Sequence, residues 1–149
     1  METPKFDLRE FFSGEAAGWG VIRDWRGRPQ TSFVCTFAGR MEGPVLILDE
    51  VLDFAGGRRI ERSWRIEYGE QGLFTATAPD VVGPARGSQA GDTVRMRYVQ
   101  QLELDNSKIK VAMDDRMFLL PGGRVMNAAV MRKFGCKVAT IEATFTKDA

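Results

Sequence analysis

Hydrophobic and polar residues alternate along most of the chain from Gly18 onward. Neighbouring side chains of a β-strand point to opposite faces, so this period of two is typical of strands with one buried and one solvated face. Turn-forming residues separate the alternating runs, for example at Asp105-Asn106-Ser107. The pattern therefore predicts strands over residues 18–25, 30–39, 44–54, 58–68, 72–80, 92–104, 108–120, 124–134 and 136–147.

Two segments depart from this alternation. Between Phe6 and Phe12 the apolar residues follow a helical period and Asp7 stands near the start as a capping residue, which predicts one short helix ended by Ser13-Gly14. The stretch from Gly83 to Gly91 is rich in glycine, alanine and serine, and it is the longest interruption between predicted strands. We expect a mobile loop there.

Many strands joined by short turns, with no helices between them, indicate an all-β protein. The fold we expect is a single antiparallel meander β-barrel of about 8–10 strands with a short N-terminal helix, and a sandwich is the alternative for the same pattern. Neither a repeat nor a shift in composition divides the chain. Residues 1–149 are therefore expected to form one domain.

Charge and composition narrow the possible partners. The 149 residues carry a formal net charge of +1, from 21 basic and 20 acidic residues, and no basic block, so a nucleic-acid partner is not expected. No apolar run approaches the roughly 20 residues that span a bilayer. The start, Met1-Glu2-Thr3-Pro4-Lys5, does not resemble a secretory signal. We expect a cytoplasmic protein whose Cys35 and Cys136 are free thiols.

The chain contains no histidine. This removes the commonest general base, the histidine-dependent nucleophilic triads and most zinc and haem sites. The glycines also form no phosphate loop or dinucleotide-binding fingerprint. We therefore expect no metal or other cofactor and assign no catalytic residue.

Several apolar strand faces each carry one polar residue. These residues are Glu50, Arg62, Asp80, Tyr98 and Asp115. An unpaired buried charge costs several kcal/mol, so these groups are expected to pair with one another or to reach water in a cavity. The planar guanidinium of Arg62 can hold Glu50 or Asp115 through two hydrogen bonds, and Tyr98 can complete the network.

This polar set has two interpretations. It is either a structural ion-pair cluster in a filled core or at a barrel rim, or a polar anchor at the base of an apolar cavity that binds an amphipathic ligand. Methionines on inward faces, at Met96, Met113 and Met117, suit an adaptable pocket but also fill gaps in ordinary cores.

Two further features bear on the pocket. Asn127 and Lys133 share a face of one strand and can contact a ligand carboxylate, although Lys133 can equally extend into solvent at the rim. Trp19, Trp25 and Trp64 are expected to be core anchors.

Five segments occur together in a way that resembles a known family. They are Gly18-Trp19-Gly20, Arg62-Ser63-Trp64, Asp80 to Gly87, Asp114 to Phe118 and Asn127 to Gly135. The set resembles an uncharacterised bacterial family described as lipoproteins or domains of unknown function. The resemblance covers nearly the whole chain and implies a lipocalin-like, calycin-type barrel without implying an activity. Unlike the lipoprotein relatives, the sequence has no lipid-attachment cysteine near its start.

The leading functional hypothesis is a non-enzymatic module that binds a small apolar or amphipathic, fatty acid-like molecule inside the barrel. The residues predicted to contact it are Glu50, Arg62, Trp64, Asp80, Met96, Tyr98, Met113, Asp115, Met117, Asn127 and Lys133.

Two alternatives stand beside ligand binding. An isomerase or cyclase would use carboxylate and tyrosine acid–base chemistry in the same cavity, and a structural protein would have a solid core. An Asp115 held in a salt bridge favours binding or structure, whereas an Asp115 without one favours catalysis. A homodimer is possible if an edge strand is left unprotected.

Overall fold

The computed structural model describes residues 5–104 and 106–147, with the side chain of Leu104 left out. The expectations about the first four residues and about a turn at Asp105 concern positions outside the described residues. The described elements are α1 (Leu8–Phe11), β1 (Gly14–Asp24), β2 (Pro29–Glu42), β3 (Val45–Phe54), β4 (Arg59–Tyr68), β5 (Leu73–Thr77), β6 (Ala85–Ala90), β7 (Thr93–Leu104), β8 (Ser107–Leu119), β9 (Val125–Lys133) and β10 (Cys136–Thr146).

The strands form one closed antiparallel barrel. Each strand pairs with its neighbours in sequence, and β1 also pairs with β10 to close the sheet. This confirms the predicted all-β meander barrel and excludes the sandwich. Every described strand has a partner strand on both sides, but β5 and β6 are short and, beyond each other, pair only with residues 65–68 of β4 and 93–97 of β7. Among the described residues, 59–64 of β4 have no partner strand on the β5 side, so the homodimer stays a prediction.

The N-terminal helix covers one end of the barrel. Asp7 is extended, with φ −123°, and its carboxylate accepts a hydrogen bond from the Arg9 amide, so the helix begins at Leu8 rather than at Phe6. Phe6 still anchors the segment, because its amide donates to the Gly91 carbonyl at 2.8 Å and its side chain is buried. We call this the helix end of the barrel. The helix is four residues long and, among the described residues, no helix is long and apolar enough to cross a bilayer.

The stretch from Gly83 to Gly91 contains β6 rather than a mobile loop, and the prediction there was wrong. Ala85 is fully buried, and the ring of Phe74 lies directly over Gly87. A Cβ atom on Gly87 would come within 2.1 Å of the Phe74 ring. The small residues that resemble a loop in the sequence are therefore the residues that let a strand pass beneath an aromatic side chain.

The wall between β4 and β7 has two different parts. Near the helix end it consists of the short strands β5 and β6, and beyond them the connection 78–84 folds back against β7. There the Val82 amide donates to Val99 and the Gln101 amide donates to Asp80, both at 2.8 Å. This connection brings the Asp80 side chain next to Arg62 on β4.

The tryptophans differ from the expectation of three core anchors. Trp64 is buried, whereas Trp19 and Trp25 are 57% and 58% exposed. On β1 the inward positions beside Trp19 are Gly18 and Gly20, whose space is filled by the rings of Phe145 and Phe33. Alternation along the strand therefore turns Trp19 outward.

Candidate functional site

Two adjoining cavities lie inside the barrel, with volumes of about 80 and 140 Å³. The smaller one reaches the helix end, where Leu8 and Phe12 line it. The larger one extends toward the opposite end, between Ile22, Leu52 and other aliphatic side chains. The side chains that line both cavities are Glu50, Arg62, Tyr98, Asp115, Asn127 and Phe145.

Polar side chains of the interior cluster at the junction of the two cavities and directly beside it. We call them the polar belt, which consists of Glu50, Arg62, Asp80, Tyr98, Gln100, Asp115 and Asn127. They come from β3, β4, β7, β8, β9 and the connection after β5. Alternation within each strand directs six of them inward among apolar neighbours. Asp80 was expected on a strand over 72–80, but β5 ends at Thr77 and the connection after it places Asp80.

Arg62 is the centre of the ion-paired half of the belt. Its Nε donates to both oxygens of Asp80 at 3.0 Å, its second terminal nitrogen lies 2.9 Å from Asp80, and its first donates to Glu50 at 3.2 Å. Gln100 donates to the same Asp80 carboxylate at 3.1 Å. Burial alone would lower the pKa of Arg62, but the carboxylate neighbours raise it, so the guanidinium is charged.

Glu50 lies directly opposite Arg62 across the β3–β4 pair. The same Glu50 oxygen that faces Arg62 also accepts a hydrogen bond from the Trp64 indole at 3.4 Å. Burial raises the pKa of Glu50, and the charge of Arg62 opposes that rise.

Asp115 is held by Asn127 and has no ion pair with Arg62 or with any other described residue. On the sheet, Asp115 lies opposite Met96 and Ala129, so the amide of Asn127 on the neighbouring strand is within reach. Burial raises the pKa of Asp115 to about 7, because the hydrogen bond from Asn127 offsets only part of the lost hydration. Of the two carboxylates expected to pair with Arg62, Glu50 does so through one hydrogen bond and Asp115 does not, and the contact through two nitrogens is made to Asp80 instead.

Tyr98 lies between the two halves of the belt. Its ring packs edge-on against Trp64 with the centroids 5.4 Å apart. Burial raises the pKa of Tyr98 well above its usual range, and the nearby Asp115 raises it further, so the hydroxyl keeps its proton. Among the described residues, neither the Tyr98 hydroxyl nor Oδ2 of Asp115 has a hydrogen-bond partner, and both residues line the cavities.

The structure brings most of the sequence-predicted site residues to the two cavities. Those that line a cavity are Glu50, Arg62, Trp64, Met96, Tyr98, Met113, Asp115, Met117 and Asn127. Asp80 contacts the outer side of Arg62 and does not line either cavity. Lys133 lies away from them, because β9 ends there and its amine donates to the Lys110 carbonyl at 3.2 Å.

Sequence reasoning missed other residues at the site. Gln100 stands two positions after Tyr98 on the same strand face, so the alternation itself could have placed it in the belt. Phe37 and Phe145 line the smaller cavity, and their role depends on register across the barrel, which the sequence does not show. Cys35 is a free buried thiol whose pKa burial raises to about 12, so it stays protonated.

Cys136 is also a free thiol, but it is exposed. The two unpaired cysteines confirm the expectation of free thiols. Within residues 5–104 and 106–147, no group of three or more histidine, cysteine, aspartate or glutamate side chains is arranged to hold a metal ion.

Comparison with solved structures identifies similar barrels. The S-type phycobiliprotein lyase from Guillardia theta matches with a TM-score of 0.70 at 7% identity, over 95% of this chain and 91% of that one. A protein of unknown function from the DUF3598 family of Nostoc punctiforme matches with a TM-score of 0.66 at 13% identity, over 97% of this chain and 50% of that one. At these identities the likeness shows the fold alone.

Comparison with curated proteins gave no match. The family model of a protein of unknown function, DUF3833, matches residues 1–147. This agrees with the family resemblance that the sequence motifs indicate, and the similar solved structures are lipocalin-like barrels. The chain therefore belongs to the DUF3833 family and has a lipocalin-like β-barrel fold.

Proposed function

We propose that the barrel interior binds a small hydrophobic or amphipathic molecule, with its polar group at the polar belt. The observation that supports this proposal is the pair of cavities that meet at Tyr98 and Asp115. Among the described residues, neither the Tyr98 hydroxyl nor Oδ2 of Asp115 has a hydrogen-bond partner. A largely apolar pocket with a few convergent polar groups is the usual form of a small-molecule site.

The size and lining of the cavities support a compact ligand. An apolar cavity of roughly 150 Å³ accepts a benzene-sized molecule, and the larger cavity here has about 140 Å³. The flexible side chains of Met96, Met113 and Met117 can move to enlarge the space. The ligand is therefore a ring or a short chain whose apolar part lies among these methionines.

Native mass spectrometry of the purified protein tests this proposal. Ala129 lines the larger cavity and Ala128 is exposed on the same strand, so Ala129→Leu fills the cavity while Ala128→Leu is the matched control. We expect a discrete added mass, either retained or supplied by added 1-octanol, on the wild type and the control, and a reduced amount on Ala129→Leu. Equal amounts on all three proteins, or no bound mass on any, would contradict binding in the barrel.

Acid–base catalysis in the same cavity is a second candidate, because Asp115 lacks an ion pair and has a pKa of about 7. A carboxyl group with a pKa near neutrality exchanges protons readily at physiological pH. The test compares the wild type with Asp115→Asn in a cell metabolite extract. A compound converted only by the wild type would support an isomerase or cyclase, and identical extracts would count against one.

We also propose a cytoplasmic location. The support is the pair of unpaired cysteines, one of them exposed, because such thiols persist in a reducing compartment. Fractionation of cells that express the tagged protein tests this, and recovery in the envelope fraction would contradict it.

A further inference from the structure

The charges around the cavities are unequal. Three carboxyl groups, those of Glu50, Asp80 and Asp115, surround the single guanidinium of Arg62. Among the described residues that line the two cavities, Arg62 carries the only positive charge. The interior therefore has an excess of acidic groups, whereas the whole chain has a formal net charge of +1.

Arg62 has little attraction left for a ligand anion. Its charge already faces two carboxylates, Asp80 at 2.9 Å and Glu50 at 3.2 Å. A ligand carboxylate could bind the guanidinium only by displacing one of them, and the displaced carboxylate would remain in the interior without a partner. Lys133, the other cation predicted to contact a ligand carboxylate, lies outside the cavities.

The groups that remain available favour a hydrogen-bond donor. Oδ2 of Asp115 is an acceptor that no described residue uses, and Asn127 holds the other oxygen in place. The Tyr98 hydroxyl can accept a second bond from the same ligand group or donate one to it. A protonated amine supplies several N–H donors and a positive charge, which compensates the acidic excess.

We infer that the ligand presents a cationic amine to Asp115 and Tyr98, and that this interior discriminates against carboxylates. The inference rests on the proposed ligand-binding function and names the chemical class of the ligand's head group. It replaces the fatty acid-like ligand expected from the sequence, because the one cation among the described residues that line the cavities, Arg62, is already paired with carboxylates.

Three probes with one apolar chain and different head groups test the inference. Octylamine, 1-octanol and octanoate are titrated into the wild-type protein at pH 8 and followed by calorimetry. We expect octylamine to bind about tenfold more tightly than 1-octanol, and octanoate to bind at least about tenfold more weakly than 1-octanol. Octanoate binding as tightly as octylamine would overturn the inference and leave the proposed function intact, whereas no binding of any probe would overturn both.

Two variants distinguish the effect of Asp115 on octylamine affinity from the effect of general surface charge. Asp115→Asn keeps the shape of the side chain and removes its charge, so we expect octylamine to lose about tenfold in affinity and 1-octanol to change little. Asp114→Asn is the matched control, because Asp114 pairs with Arg95 on the outer face and does not line either cavity. An equal loss of octylamine affinity in both variants would overturn the role of Asp115. The probe order in the wild type remains decisive if Asp115→Asn does not fold.

Discussion

The two ends of the barrel use the same alternation of polar and apolar residues for different purposes. At the helix end the rings of Phe11, Phe12, Phe37 and Phe145 pack together beside the smaller cavity, with successive centroids 4.8, 5.1 and 4.9 Å apart. Farther along the strands, the polar belt interrupts this packing and the larger cavity opens beyond it. The comparison indicates that a pocket with polar groups in its wall forms where several apolar strand faces each carry a polar residue.

Truncation of a side chain at the helix end should lower the free energy of unfolding by the largest amount. Phe37 is buried against Phe12 and Phe145, so Phe37→Ala is expected to lower the free energy of unfolding by about 3–5 kcal/mol. Val34 on the same strand is 57% exposed, and Val34→Ala should change it by less than about 0.5 kcal/mol. Urea denaturation of both variants measures the difference. A Phe37→Ala cost below about 1 kcal/mol would mean that this end is not tightly filled.

Removal of the belt's cation should have the next largest effect. Arg62→Met leaves Glu50 and Asp80 without their shared positive partner. We therefore expect the free energy of unfolding to fall by about 3 kcal/mol at pH 8. This is the low end for breaking a buried ion pair, because Glu50 lines cavities that water can enter. Arg65→Met, on the exposed face of the same strand, is the control. Equal denaturation curves for the two variants would show that the ion pairs contribute no stability.

Asp115 and its neighbour Asp114 should affect the pH dependence of stability in opposite directions. The folded-state pKa of Asp115 is raised from 3.8 to about 7, so the folded chain holds a proton that the unfolded chain releases, and stability falls as the pH rises between these values. Asp115→Asn should therefore be more stable than the wild type at pH 8, by about 1–3 kcal/mol, and similar to it near pH 4.

Asp114 should behave in the opposite way. Its hydrogen bond with Arg95 lowers the pKa of Asp114, so its contribution is present above the unfolded pKa and is lost as the pH falls through the lower folded value. Asp114→Asn should be less stable than the wild type at pH 8, by under about 1 kcal/mol because the pair lies at the surface. Denaturation of both variants at pH 4 and pH 8 checks the signs, and a shared sign would contradict the assignment of Asp115 to an unpaired interior site.

Substitutions that add atoms should also change the free energy of unfolding differently in the two regions, but by a smaller amount. At Gly87 a new Cβ would clash with Phe74, so Gly87→Ala should cost about 1–2 kcal/mol. At Ala129 the larger cavity lies beside the side chain, so Ala129→Leu should change stability by less than about 1 kcal/mol. Thermal unfolding of the two variants checks the order. A greater loss for Ala129→Leu would indicate that the cavity is not available space.

The sequence predicted the barrel because alternation is a local property that each strand carries within itself. It missed β6, since Ala85, Gly87 and Ser88 have the composition of a loop and only the packing of Phe74 explains them. It misjudged Trp19 for a related reason, because the inward neighbours of Trp19 are glycines whose space belongs to phenylalanines from other strands.

The polar residues inside the barrel were also visible in the sequence, as was the contact of Arg62 with Glu50, but their other partners were not. Arg62 reaches Asp80 only because the connection after β5 folds back on β7, and Asp115 reaches Asn127 because of the β8–β9 register. Loop paths and register are long-range properties, so they require the folded chain. The ligand-binding roles of these residues stay a prediction.

The central claim is that a small ligand enters the barrel and reaches the polar belt. Methyl NMR of the protein labelled at methionine tests it directly, because Met96, Met113, Met117 and Met131 line the cavities whereas Met41 and Met126 are exposed. Titration with octylamine should shift the methyl resonances of these four cavity-lining methionines and leave the two exposed ones in place. Shifts confined to Met41 and Met126, or no shifts at all, would contradict the claim.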